Sequence, residues 1–213
     1  MDDIHFYNIF LSEMPRRING SNSLDAQLSM IQEMIVYGDQ VETVSNNIYK
    51  IVNGDQSTYW CGNEDASMVS IIIDTEQDGA FNKIVLTSKN PTINKGSPPY
   101  ASDLYLIIKS DIGSANLALS SDSMISDDAI RLWKGLVSRG NAVSVFDKNQ
   151  HQYVLQNVTS ADKLNNFIGD ASSSRYVFVL SESVKHQRGI QHAITIIELK
   201  RMSGYPLFEN IPK

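Results

Sequence analysis

A single cysteine, Cys61, stands in a chain of 213 residues. One thiol excludes an internal disulfide and any cysteine-based metal cluster. Basic runs are also missing: none exceeds Arg16-Arg17, and the net charge is −6. A protein that neutralises nucleic-acid phosphates needs a basic stripe, so no nucleic-acid partner is expected. The 24 acidic residues are diluted by Ser and Asn and never cluster, which argues equally against mimicry of DNA. Apolar runs are short. Val69–Ile73, interrupted by Ser70, is far below the length that spans a bilayer. Met1-Asp2-Asp3 is acidic, whereas a secretory signal needs a basic region before its apolar stretch. Histidine is scarce, and His186 and His192 are six apart, not at the i, i+4 spacing with which one helix face grips a metal. The expectation is a soluble, cytoplasmic protein with no metal site and no membrane partner.

What is present is an ordinary globular composition, 42% hydrophobic and 20% charged, in a chain long enough to bury a real core. Ile4–Leu11 reads as a first strand. Ser23 caps a helix whose Leu24, Leu28, Ile31 and Ile35 share one face, and Gly38 stops it. Asn47–Asn53 and Ser57–Gly62 flank the hairpin signal "NGDQ". Met68–Thr75 and Asn82–Ser88 are strand-like and joined at "EQDG". After the turn "KGSPP" the pattern predicts a helix to about Ile112, ended by Gly113, and a short strand, Asn116–Ser120.

Ser126 caps the next helix, with Asp127 and Asp128 favouring its positive end and Gly140 ending it. Leu132, Trp133, Leu136 and Val137 form its core-facing stripe. Val143–Phe146 and Gln152–Val158 make a second hairpin. A short helix (Ala161–Ile168), a strand (Tyr176–Leu180) and a final amphipathic helix around Ile190–Ile197 complete the chain. The fold class is α/β in the α+β sense: a mixed, mostly antiparallel central sheet flanked by helices, with a C-terminal helix-strand-helix extension. Residues 1–158 form the core, and 159–213 pack on the same domain.

This order of strand, helix, antiparallel meander, loop, helix, strand, helix and hairpin resembles the GCN5-related N-acetyltransferase superfamily. "SDDAIRLWKGL" is similar to that family's "NxxAxxLYxxxG" segment, with Ser126, Ala129, Leu132 and Trp133 aligned. The resemblance covers roughly residues 1–158 in element order and only two short segments in residue identity. It implies an acetyltransferase-like fold binding acetyl-CoA or another acyl-CoA, with Lys95, Gly96 and Ser97 at the pyrophosphate and a small-molecule or protein amine as acceptor. Physically, a helix N-terminus presents unpaired N–H groups and a positive dipole end to an anion. The resemblance also places Asp122 at the cleft as a general base, with a turn involving Ser121 and Ser123 as its structural alternative.

Two departures keep a second reading open. Pro98 and Pro99 remove N–H donors where the family's loop supplies them. Trp133 stands where the family often has a tyrosine, and an indole N–H cannot reprotonate a leaving thiolate. The second reading is a catalytically inactive, acetyltransferase-like interaction module, possessing a scaffold and a protein partner. In purely structural terms, Ser97 serves as N-cap and Pro98 as the first helical residue. Cys61, in "YWCGN", reads as a packed small hydrophobe; the rival, a thiol nucleophile paired with His5, His151, His186 or His192, has only composition behind it.

Overall fold

The computed structural model of the chain describes residues 23–93, 97–122, 126–168 and 175–180. The strand expected at Ile4–Leu11, Lys95 and Gly96, Ser123, and the final helix with His186 and His192 lie outside these residues.

Helix α1 (Ser23–Tyr37) buries Leu24, Ile31 and Met34 at helical spacing. Gly38, at φ +95°, ends it: Gly38 N–H donates to Ile35 and Asp39 N–H to Met34, two bonds that satisfy the last carbonyls. An antiparallel meander follows: β1 (Glu42–Ser45), β2 (Ile48–Asn53), β3 (Gln56–Gly62), β4 (Val69–Asp78) and β5 (Phe81–Lys89). Strand β1, short, polar and mostly exposed, carries no periodic signal and was not expected from the sequence. The β4–β5 turn also falls further along than "EQDG" suggests. Its two-residue loop is Gly79-Ala80, with Gly79 at φ +61°, so Glu76, Gln77 and Asp78 belong to the ladder. Glu76 is then placed opposite Lys83, and the two pair at 3.4 Å.

Helix α2 (Ala101–Gly113), strand β6 (Ala118–Ser120), helix α3 (Asp127–Ser138), and strands β7 (Val143–Asp147) and β8 (Gln152–Leu155) come next. A 3-10 turn, Ala161–Phe167, leads towards β9 (Tyr176–Leu180). Gly113 is the last helical residue of α2, but Asn116 takes the left-handed position, at φ 58°, and closes the helix. The cap of α3 is as expected: Ser126 Oγ accepts from Ala129 N–H.

The sheet is α+β in character, with nine strands in the order β1-β2-β3-β4-β5-β6-β9-β7-β8. All neighbours are antiparallel except β5 and β6, which run parallel with α2 as their crossover. Strand β9 enters between β6 and β7, so both of its faces are covered: Phe178 and Leu180 join the core beneath α2 and α3, and Val177 and Val179 join Phe146 and Ala118 on the other face. Helix α1 closes a separate core with Ile51, Trp60 and Ile72. Asp111 ties the last turn of α2 to the meander, accepting from Lys50 Nζ at 3.1 Å and Tyr59 Oη at 2.8 Å. Trp133 is buried, as its stripe predicts, but Leu132 is only half-buried at the edge of that core. Among the described residues no helix is long and apolar enough to cross a membrane.

Candidate functional site

The parallel pair β5 and β6 has its carboxyl ends on one side of the molecule, where open parallel sheets bind ligands. Pairing between them is brief: Phe81, Asn82 and Lys83 match Ala118, Leu119 and Ser120. Beyond Lys83, among the described residues, no strand pairs with β5 on that side. One residue further on, the β4–β5 ladder contains a bulge: Thr75 pairs with Ile84 and Asp74 with Leu86, leaving Val85 as the extra residue. A bulge bends its strand and leaves the extra residue unpaired. The bulge and the end of β6 therefore coincide, and among the described residues the β5–β6 side of the sheet forms a notch that starts at Ile84.

The loop after β5 leads from this notch to α2. Lys89 Nζ donates to the Ser97 carbonyl at 2.6 Å and holds the loop's far end against β5. The sequence reading of Ser97 as N-cap is corrected here: α2 starts at Ala101, and Tyr100 occupies the cap position without a side-chain hydrogen bond. The cause is steric, since a residue before proline is pushed out of the helical region, and both Ser97 and Pro98 precede one. The first intrahelical bond is Asp103 N–H to the Tyr100 carbonyl at 3.0 Å, so the Ala101 and Ser102 N–H groups precede it at the positive end of the helix. Arg139, from the end of α3, reaches this same turn: its guanidinium donates to Ser102 Oγ and to Asp103 Oδ1.

The face of β5 beneath α2 carries a second polar contact. Tyr105 Oη lies 3.0 Å from Thr87 Oγ1, and its ring packs 5.9 Å from that of Trp133. Burial pushes the Tyr105 hydroxyl up to about 12, with the Thr87 contact opposing. Ser121 is pinned to β9, donating its N–H to the Phe178 carbonyl at 2.8 Å and accepting Phe178 N–H at 3.0 Å. This fixes the carboxyl end of β6, and Asp122 follows it, half-buried, at the mouth of the notch.

On the α1 side of the sheet, Asp74 lies beside the bulge. Its carboxylate accepts from Thr58 Oγ1 at 2.8 Å and from Gln27 Nε2 at 2.5 Å. Burial raises its pKa above the ordinary carboxylate range, against the lowering effect of those two hydrogen bonds. Gln27 is itself buried, and its Oε1 has no hydrogen-bond partner.

No protein-family model matches this chain, and no curated protein and no solved structure matches it either. The site therefore stands on geometry.

Of the sequence candidates, the structure brings Ser97 and Asp122 to the carboxyl ends of β5 and β6, while Lys95 and Gly96 lie outside the described residues. Cys61 is a half-buried free thiol on β3. His151 sits in the β7–β8 turn; β3 and β7 are separated by four strands, roughly 24 Å at the usual spacing, so these two do not pair. Among the described residues no three His, Cys, Asp or Glu side chains are grouped to hold a metal. Arg139, Tyr105, Asp74 and Gln27 were not legible as site residues, because nothing near them in sequence marks them out.

Proposed function

We propose that the chain is an acyl-coenzyme A-dependent N-acyltransferase of the GCN5-related N-acetyltransferase type, acting on a small-molecule or protein amine in the cytoplasm. The observation that carries this reading is the coincidence of the Val85 bulge with the end of β5–β6 pairing. An extended ligand with amide groups, such as the arm of coenzyme A, can add to β5 beside the Val85 bulge as a further strand would. Its pyrophosphate then falls towards the loop of Lys95, Gly96 and Ser97 and the amino end of α2, where Arg139 supplies a guanidinium. The amine attacks the thioester carbonyl, and the unpaired backbone of the bulge offers an N–H to the oxygen that becomes negative. Tyr105, packed against Trp133, places a phenol beside β5 where the indole cannot serve as a proton donor. Asp122, at the mouth of the notch, stands where the family resemblance implies a general base.

Pro98 and Pro99 support the second reading, an inactive interaction module on the same scaffold, since they leave the phosphate loop short of donors. Calorimetric titration with coenzyme A and acetyl-coenzyme A separates the two. Micromolar binding that is lost in Gly96→Val and weakened in Arg139→Ala, with melting temperatures unchanged, supports the enzyme. Silence at millimolar ligand leaves the module.

A further inference from the structure

The cluster beneath α1 has more hydrogen-bond acceptors than donors. Gln27 is 3% exposed, yet only its nitrogen is engaged, by Asp74, and its oxygen is an orphan. Turning the amide over does not cure this: the oxygen then faces Asp74, and the nitrogen becomes the buried atom without a partner. A buried, unpaired carbonyl oxygen costs free energy, so native structures supply a donor for it. Beside it stands the half-buried carboxylate of Asp74, which Thr58 and Gln27 satisfy in part. The charged side chains on the same face of β4 and β5, Glu76 and Lys83, are turned to each other. On β3 the facing group is Thr58 and on α1 it is Gln27, both neutral, so among the described residues no cation contacts Asp74.

We propose that Asp74 and the Gln27 side-chain carbonyl receive the protonated amine of the acyl acceptor, and that Asp74, in place of Asp122, takes its proton. The inference rests on the acyltransferase reading for its chemistry. Asp74 is on β4 directly beside the Val85 bulge, about one strand spacing of ~5 Å from the backbone where the thioester carbonyl is placed. Asp74 stands opposite Leu86 on β5, next to the bulge, so in this reading an amine held on the α1 side approaches the thioester past Leu86. In the step, an N–H bond of the ammonium breaks and an O–H bond forms on Asp74. The nitrogen lone pair so released attacks the carbonyl carbon of the acyl thioester, and the carbon–sulfur bond breaks with its electrons on sulfur. The second proton, which the nitrogen sheds as the amide forms, passes to that sulfur to give the free thiol. A carboxylate shifted towards neutrality is a stronger base for this transfer than an ordinary one.

The test follows the Asp74 carboxyl carbon by NMR in the full-length chain labelled at aspartate, assigned through Asp74→Asn. It is titrated with pH in n-butylammonium chloride and, at equal ionic strength, in sodium chloride. The expected result is a saturable lowering of the Asp74 titration midpoint by n-butylammonium alone, because a bound cation favours the carboxylate. Gln27→Leu should weaken that binding by roughly tenfold or more, the worth of one hydrogen bond to a charged group. Asp74→Asn, close in shape to the native residue, should abolish it in calorimetry while leaving coenzyme A binding intact. An Asp74 response no larger than that to sodium chloride overturns the inference, even if coenzyme A binds. Amine binding at Asp74 with no coenzyme A binding overturns the acyltransferase reading and leaves the amine site standing.

Discussion

Two glycine-to-alanine substitutions should move stability in opposite directions, and the structure gives both signs. Gly62 ends β3, where the ladder to β4 shifts register. A Cβ there would lie 1.9 Å from the Met68 carbonyl oxygen and 3.1 Å from the Val69 Cα, all of it backbone. That backbone has little room to retreat. Met68 O accepts from Asn63 N–H at 3.1 Å, Met68 N–H donates to Asn63 Oδ1 at 2.7 Å, and Trp60 Nε1 donates to the Asn63 carbonyl at 2.8 Å. Relieving the overlap takes a shift of more than 1 Å and the loss of at least one of these bonds. Overpacking costs about 1–3 kcal/mol and the Met68–Asn63 bonds lie at the surface, so Gly62→Ala should cost about 1–3 kcal/mol.

At ~2–4 °C per kcal/mol for a chain of this size, the melting temperature should fall by roughly 2–12 °C. Gly135, in the middle of α3, is the control: its added Cβ meets nothing within 4 Å. Gly135→Ala should stabilise by about 0.4–1 kcal/mol, through the reduced freedom of the unfolded chain. Urea unfolding followed by circular dichroism measures both. A Gly62→Ala protein within about 0.5 kcal/mol of wild type, the range of an innocuous surface change, would refute the packing argument.

Leu136, fully buried beneath α3, should lose about 2–5 kcal/mol on truncation to alanine, whereas half-buried Leu132 should lose about half as much; equal losses would mean that α3 presents a different face to the sheet. Asp74 provides a pH signature. Its folded pKa lies above its unfolded value, so its contribution is fully present below the unfolded value and is lost as pH rises through the folded one. Thermal melts from about pH 4 to about pH 8, spanning the carboxylate range and above it, should show Asp74→Asn gaining on wild type as pH rises; parallel curves would contradict the burial argument.

The parts of this fold that were legible in the sequence are those whose cause lies within a few residues. Gly38 and Gly140 mark helix ends because they take left-handed backbone there, and Ser126 caps α3 through an N–H three residues on. The β2–β3 hairpin follows from its own turn, and Tyr176–Leu180 is apolar on both faces because it is covered on both. Even local signals misplace an element when two compete: the helix-starting tendency of Ser97-Pro98 yields to the second proline, and α2 begins at Ala101. Tertiary structure alone decided the rest. Gln27 meets Asp74 across 47 residues of sequence, and Arg139 meets Ser102 across 37. The entry of β9 between β6 and β7, and the notch where β6 stops pairing with β5, depend on which strands bury each other's faces. Propensity and capping act over one or two turns of chain, whereas a site is assembled by burial between segments far apart. The sequence by itself therefore determined where most elements start and stop, and only their packing brought an amide with an unpaired oxygen and a carboxylate together beside a bulge.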